Sequence, residues 1–106
     1  MTVNILGTKY TISIRSEKED KNLEIADGYC DKTSKEIVIV NPDSVTSTLK
    51  NPDWYFRKVK RHEIVHAFLI ESGLQENTEW NEELIVDYFA CQGEKIYKAW
   101  KEADCL

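Results

Sequence analysis

The sequence predicts an α+β fold, in which a small antiparallel β-sheet packs against two helices within a single domain, residues 1–106. Three observations support this class. Apolar and polar residues alternate near the start of the chain, two long segments with helical periodicity follow, and 42% of the residues are hydrophobic. That apolar share is enough for one modest core, and the chain is too short for two.

Two hairpins account for the strands. Residues 2–15 alternate on either side of Gly7-Thr8, where a tight turn fits. The segments 26–31 and 36–41 flank a polar stretch and predict a second hairpin. Residues 37–40 are four β-branched residues in a row, which is the strongest strand signal in the chain.

The first helix is predicted from its two ends. Asn51 is a favoured N-cap and Pro52 a favoured first helical residue. Ser72-Gly73 predicts the end, because glycine readily takes the left-handed conformation that follows a helix.

A second helix is predicted to start between Thr78 and Asn81 and to run to about Lys101. Its acidic first turn suits the positive end of a helix dipole. Gly93 lies in the middle of this helix at a cost of about 1 kcal/mol relative to Ala. We therefore expect Gly93 to mark a close contact between helices.

Charge and cysteine content limit the function classes. The net charge of −5 argues against nucleic acid as a partner, and we interpret the basic residues 57–61 as the solvated face of a helix. Neither a signal peptide nor a membrane-spanning segment is visible, so no membrane partner is expected. Three widely spaced cysteines fit a reducing interior, which predicts a cytoplasmic protein. The oligomeric state stays open.

The two histidines carry the strongest functional signal. His62 and His66 are the only histidines in the chain, they lie four residues apart on the first predicted helix, and Glu63 follows the first of them. Random shuffling would give this pattern about once in 500 sequences, which makes it a specific motif. Side chains four residues apart stack on one helix face, so the two imidazoles can reach one zinc ion. Glu63 can then act as the general base on a zinc-bound water.

Two alternatives compete with this catalytic interpretation. The two histidines could merely pack or form hydrogen bonds on their helix, or they could hold a noncatalytic zinc ion. A noncatalytic zinc site does not account for Glu63, since a structural site does not need a general base.

A catalytic zinc site needs a third protein ligand, and the second helix offers Glu82, Glu83 and Asp87. Helical angles alone favour Glu82, which lies in the middle of the apolar stripe. Glu83 lies at the edge of the stripe, where a ligand could face a cleft open to substrate. For both glutamates, favourable placement at the helix dipole is a competing explanation.

The sequences of both predicted helices resemble those of small phage-type zinc peptidases related to the ImmA/IrrE family. The resemblance rests on residues 61–68 with the ending 71–74, and on residues 83–90, in which Glu is followed four residues later by Asp and then by Phe-Ala. A weaker similarity covers the hairpin at residues 27–31 and 37–40. The family's larger members carry extra helices and often a DNA-binding domain, for which this chain has no room.

The resemblance implies a minimal zincin-like metallopeptidase that hydrolyses a peptide or protein substrate. It implies that His62, His66 and Glu83 bind zinc, that Glu63 is the general base, and that Asp87 orients a histidine ligand. It also implies that substrate lies along a sheet edge near the metal, for which we expect residues 37–40.

Overall fold

The computed structural model describes residues 1–45, 48–75 and 82–106, apart from the side chains of Glu82 and Val86. Four strands form one sheet in the order β1-β2-β4-β3. Two short 3₁₀ helices and two α-helices complete this compact α+β domain. The strands are β1 (Thr2–Ile5), β2 (Thr8–Arg15), β3 (Gly28–Asp31) and β4 (Glu36–Val40).

Both predicted hairpins are confirmed, but the prediction of an antiparallel sheet is wrong. β1 pairs with β2, and β3 with β4, in antiparallel register, whereas β2 pairs with β4 in parallel, which makes the sheet mixed. Local alternation and turn residues predict each hairpin. They do not determine which strand of one hairpin meets which strand of the other.

The burial of β4 explains this arrangement. Residues 37–40 are all buried, with exposures of 3% or less, and the two faces of the strand pack against different apolar clusters. A strand that is apolar on both faces is stable in the middle of a sheet. Our expectation that residues 37–40 form the sheet edge is therefore wrong. β3 is the edge strand on that side.

The first helix, α1 (Pro52–Glu71), has the ends that the sequence predicts. The Asn51 side chain accepts a hydrogen bond of 3.1 Å from the Trp54 backbone N–H. At the other end Gly73 has a φ of +74°, and the Leu74 N–H donates to the Leu69 carbonyl at 2.9 Å. These contacts satisfy backbone groups that a helix end would otherwise leave unpaired.

The second helix, α2 (Glu82–Glu102), packs mainly through its C-terminal half. Ile96, Ala99 and Ala103 are buried in the main core, whereas Ile85 and Phe89 nearer its start are 41% and 43% exposed. The predicted start between Thr78 and Asn81 falls outside the described residues. No helix within the described parts of the chain is long and apolar enough to cross a membrane.

The predicted role of Gly93 is wrong. Among the described residues, a Cβ atom built on Gly93 would meet no heavy atom within 4 Å, so no described helix requires a glycine there. The close approach in this fold occurs at Gly28 instead. A Cβ atom there would lie 3.0 Å from Val59 Cγ1 and 3.1 Å from Ile39 Cδ1, so the glycine lets β3 lie tightly against α1.

Three of the basic residues at 57–61 bind the end of the chain, which corrects their interpretation as a solvated face. Arg57 donates to the Leu106 carbonyl at 3.2 Å, Lys60 to the Ala103 carbonyl at 3.2 Å, and Arg61 to the Cys105 carbonyl at 2.6 Å. Cations favour the negative end of a helix dipole. The cluster therefore fixes the end of α2 against α1.

Glu71 fixes the other end of α1 to the sheet. Its carboxylate accepts hydrogen bonds from Tyr10 Oη at 2.7 Å, Lys35 Nζ at 2.7 Å and Thr8 Oγ1 at 3.1 Å. The lysine and these hydrogen bonds lower the pKa of Glu71 below its ordinary value. Because Glu71 lies five residues after His66, this network helps to hold the histidine segment in place over the sheet.

Candidate metal centre

His62 and His66 present their ring nitrogens to each other on one face of α1. The two Nε2 atoms lie 3.2 Å apart, and the ring centroids are 4.9 Å apart. Two nitrogens bound at about 2.0–2.1 Å to one tetrahedral zinc ion would lie about 3.3–3.4 Å apart. The observed separation therefore fits a shared zinc ion, and it also fits a hydrogen bond between two neutral imidazoles.

Gln75 contacts His66 from the turn that follows α1. Its Oε1 lies 3.3 Å from His66 Nδ1, and its backbone N–H donates to the Leu69 carbonyl at 3.2 Å. With the Nδ1 proton donated to the amide oxygen, Nε2 carries the lone pair that a metal ligand needs. Sequence reasoning missed this contact. The only available signal was that a polar side chain follows the Gly73 helix stop.

Burial shifts the pKa values of His62 and Glu63, which are adjacent in the sequence. Burial lowers the pKa of His62, and the nearby His66 and Lys58 lower it further, which favours the neutral ring that binds metal. Glu63 is 7% exposed, and burial raises the pKa of its carboxyl above the ordinary value. One of its carboxylate oxygens, Oε1, lies 4.0 Å from His62 Nε2.

Cys30 of the edge strand lies beside the same carboxylate. Burial, followed by the negative charge of Glu63, raises the pKa of the Cys30 thiol to about 12. A thiol with so high a pKa stays protonated at neutral pH. In the metal-free protein Cys30 is therefore a small apolar neighbour of Glu63 rather than a nucleophile.

A cleft of about 170 Å³ lies between α1 and the start of β3, next to the two site residues His62 and Glu63. Asp27 and Gly28 form its β3 side, and Tyr55 closes it by donating a hydrogen bond of 2.5 Å to Asp27 Oδ2. The cleft gives a small group access to the buried carboxylate. The Tyr55 hydroxyl is occupied by this hydrogen bond.

The carboxylates predicted on α2 are not assembled with the histidines. Glu83 and Asp87 are exposed, and the side chain of Glu82 lies outside the description. In residues 1–45, 48–75 and 82–106, no group of three or more His, Cys, Asp or Glu side chains is arranged to hold a metal ion. The structure thus brings together His62, Glu63 and His66, and the role of Glu83 stays a prediction.

Comparison with known proteins adds no further constraint. No protein-family model, no curated protein sequence and no solved structure matches the chain. The resemblance to the ImmA/IrrE-related peptidases therefore rests on the motif residues alone.

Proposed function

We propose that this protein is a zinc-dependent metallopeptidase that cleaves peptide bonds with Glu63 as the general base. The observation that carries the proposal is the geometry on α1, where two ring nitrogens 3.2 Å apart lie beside a buried carboxylate. A carboxylate that only stabilised the helix would be exposed, since burying a charge has a large free-energy cost.

His62 and His66 would hold the zinc ion, with Glu83 as the proposed third ligand. The lowered pKa of His62 favours its neutral ring, which is the protonation state that metal binding requires. Zinc supplies a Lewis acid that polarises a carbonyl and lowers the pKa of water towards about 7. An ion with three protein ligands keeps a position open for substrate.

Glu63 would move the proton. Its carboxylate lies in a water-poor environment, where the raised pKa brings it closer to the neutral range in which a general base works best. It would take a proton from the attacking water and later deliver it to the leaving amine. Such general-base contributions amount to about 10²–10⁴ in rate.

The edge strand β3 offers a place for the substrate backbone. The Val40 N–H donates to the Asp27 carbonyl at 2.9 Å, and hydrogen-bonded pairs alternate along an antiparallel ladder. The backbone groups of Gly28 and Cys30 therefore face away from β4. A peptide in extended conformation could add to this edge, a common mode of peptide recognition, and would then pass the cleft beside Glu63.

A zinc-binding interaction module without catalytic activity is the alternative function. It would share the His62–His66 site but would not depend on the carboxylate of Glu63. The two functions therefore differ in the effect of a single substitution.

Zinc content and the variant Glu63→Gln test the proposal. Wild-type protein should bind close to one zinc ion per chain and hydrolyse peptides from a mixed library. Glu63→Gln should keep the zinc and the fold but lose about 10²–10⁴ of the rate, because Gln cannot accept the proton. Unchanged turnover in this variant would place the chemistry elsewhere. Zinc binding without hydrolysis by the wild type would favour the interaction module.

A further inference from the structure

Lys58 is the basic residue of the cluster at 57–61 that does not bind the end of α2. The other three basic residues of this cluster donate to carbonyl groups there. Lys58 precedes His62 by four residues, which places both side chains on one face of α1. Its ammonium lies 5.7 Å from the centre of the Tyr55 ring. Lys58 therefore belongs to the candidate metal centre rather than to the contact between the helices.

The small cleft at the metal centre is suited to a polar group. Its volume of about 170 Å³ is smaller than the about 300–1,000 Å³ of sites that enclose a whole ligand, so it fits one small group of a larger ligand. The lining is mostly polar and consists of Asp27, Tyr55, Lys58, His62 and Glu63 together with Gly28 and Val59.

The ammonium of Lys58 is the charged group of this cleft that lacks a partner of opposite charge or a hydrogen bond. Asp27 accepts the hydrogen bond from Tyr55, and Glu63 is buried with one oxygen 4.0 Å from His62 Nε2. Among the described residues, Lys58 forms no ion pair. An ammonium has three donors and no acceptor, so a carboxylate is a suitable ligand for it. Since Asp27 and Glu63 repel an anion, a bound carboxylate would lie at the Lys58 end of the cleft.

The position of Lys58 relative to the histidines sets the distance from a reacting carbonyl. Lys58 lies one helical turn before His62, which is about 6 Å along the helix axis. Helix side chains lean towards the N-terminus, so the ammonium lies on the side of His62 away from His66. An extended peptide advances about 3.3 Å per residue, so a carbonyl at the two histidines would have Lys58 within about two residues of it.

We infer that Lys58 is a specificity-determining residue that binds a carboxylate of the substrate within about two residues of the cleaved bond. The carboxylate can be an Asp or Glu side chain or the C-terminal carboxylate of a peptide, because both present the same anionic group. This inference rests on the proposed function, since it assigns the bound carboxylate to the substrate.

Equilibrium binding to the full-length Glu63→Gln protein with zinc tests the site without requiring hydrolysis. The probes are fluorescent peptides of alanine and serine in which one position at a time carries Glu, Gln, Lys or Ala, each with a free and with an amidated C-terminus. Recognition of a side chain should make one Glu peptide bind about fivefold more tightly than its Gln counterpart. Recognition of the terminus should give the free peptide the same advantage over the amide. Equal affinity in both comparisons, no binding at millimolar concentration, or a preference for Lys would overturn the inference.

Lys58→Met in the same background is the decisive variant, because it removes the ammonium and keeps an unbranched apolar side chain. The preference for the carboxylate should fall below about twofold, whereas zinc content should be retained, since Lys58 is exposed. Lys95→Met is the matched control, because Lys95 is also exposed, carries the same charge and lines a different cavity. An unchanged preference in Lys58→Met, or the same loss in the control, would contradict the assignment.

Mapping the bonds cut by the wild-type protein separates this inference from the proposed function. Cleavage with no preference for a carboxylate within two positions would overturn the role of Lys58 and leave the peptidase function intact. Binding of carboxylate peptides that depends on Lys58, without any cleavage, would support the carboxylate site and contradict the peptidase function.

Discussion

The two helices differ in how far the structure assembles the candidate metal centre on them. On α1, His62 and His66 are held at a fixed separation by one turn of helix, and their Nε2 atoms lie 3.2 Å apart. On α2, Glu83 is exposed and belongs to no such arrangement among the described residues. The α1 half of the site is built by local geometry, whereas the α2 half depends on how one helix is placed against another.

Packing differs between the same two regions. The α1 segment around the site includes Glu63, Ile64, Ala67 and Phe68, all of which are 7% exposed or less. Near the start of α2, by contrast, Leu84 and Ile85 are 51% and 41% exposed. A segment with little buried apolar area is held by little free energy. Zinc binding through Glu83, as proposed, would add to the few contacts that hold this end of α2.

The largest expected effect is the loss of zinc binding when one of the two histidines on α1 is replaced. His62→Ala or His66→Ala should weaken zinc binding more than about 100-fold, because loss of a ligand exceeds the 10–100-fold typical of its supporting contacts. Competition titration against a chelator measures this. Tight stoichiometric zinc binding that survives in both variants would mean that the metal lies elsewhere.

The sequence predicted α1 and its two ends correctly for a physical reason. The spacing of His62 and His66, the Asn51 cap and the Gly73 stop all act within a few residues, where helix geometry is fixed. The hairpins were predicted on the same basis. The parallel pairing of β2 with β4, the open space at Gly93 and the contact of Gln75 with His66 depend on tertiary placement, which local patterns do not encode.

The next largest effect is a difference in zinc affinity between variants of two adjacent glutamates on α2. Glu83→Gln should weaken zinc binding at least about tenfold, because zinc prefers an anionic oxygen at its third site. Glu82→Gln, the matched control, should alter stability by only about 0.3–1 kcal/mol through the helix dipole. Chelator competition with both variants measures the difference. The reverse result would mean that α2 presents the face that helical angles alone favour.

The anchor of α1 to the sheet should contribute to stability. Glu71→Gln removes the charge from a carboxylate with three hydrogen-bond donors and should reduce the free energy of unfolding by about 1.5–3 kcal/mol at pH 7. Urea unfolding measures it. Glu102→Gln, on the exposed end of α2, should change stability by less than about 0.5 kcal/mol and serves as control.

The same variant has a defined pH dependence. Because the folded state lowers the pKa of Glu71, its stabilisation is fully present above the ordinary Glu pKa of about 4.3 and is lost as the pH falls through the folded-state pKa. The stability difference between wild type and Glu71→Gln should therefore shrink below about pH 4.3. A difference that grows in acid would contradict the role assigned to this carboxylate.

The smallest expected effects are changes in stability on replacing a glycine, Gly73 at the end of α1 or Gly93 inside α2. In the part of the chain that the structure describes, no heavy atom lies within 4 Å of a Cβ added to Gly73 or to Gly93, so steric contact there does not distinguish the two glycines. They differ in backbone conformation, because Gly73 has a φ of +74° at the end of α1 and Gly93 lies inside α2. A side chain is strained in the first conformation and favoured in the second.

Gly93→Ala should therefore stabilise the protein by about 0.4–1 kcal/mol, whereas Gly73→Ala should destabilise it by about 1–2 kcal/mol. Urea unfolding of the two variants measures both signs. A destabilising Gly93→Ala would mean that the middle of α2 contacts another part of the protein. Gly73→Ala should also weaken zinc binding, because the turn that Gly73 permits places Gln75 against His66. Gly93→Ala should leave zinc affinity unchanged, since the added Cβ would contact no heavy atom among the described residues.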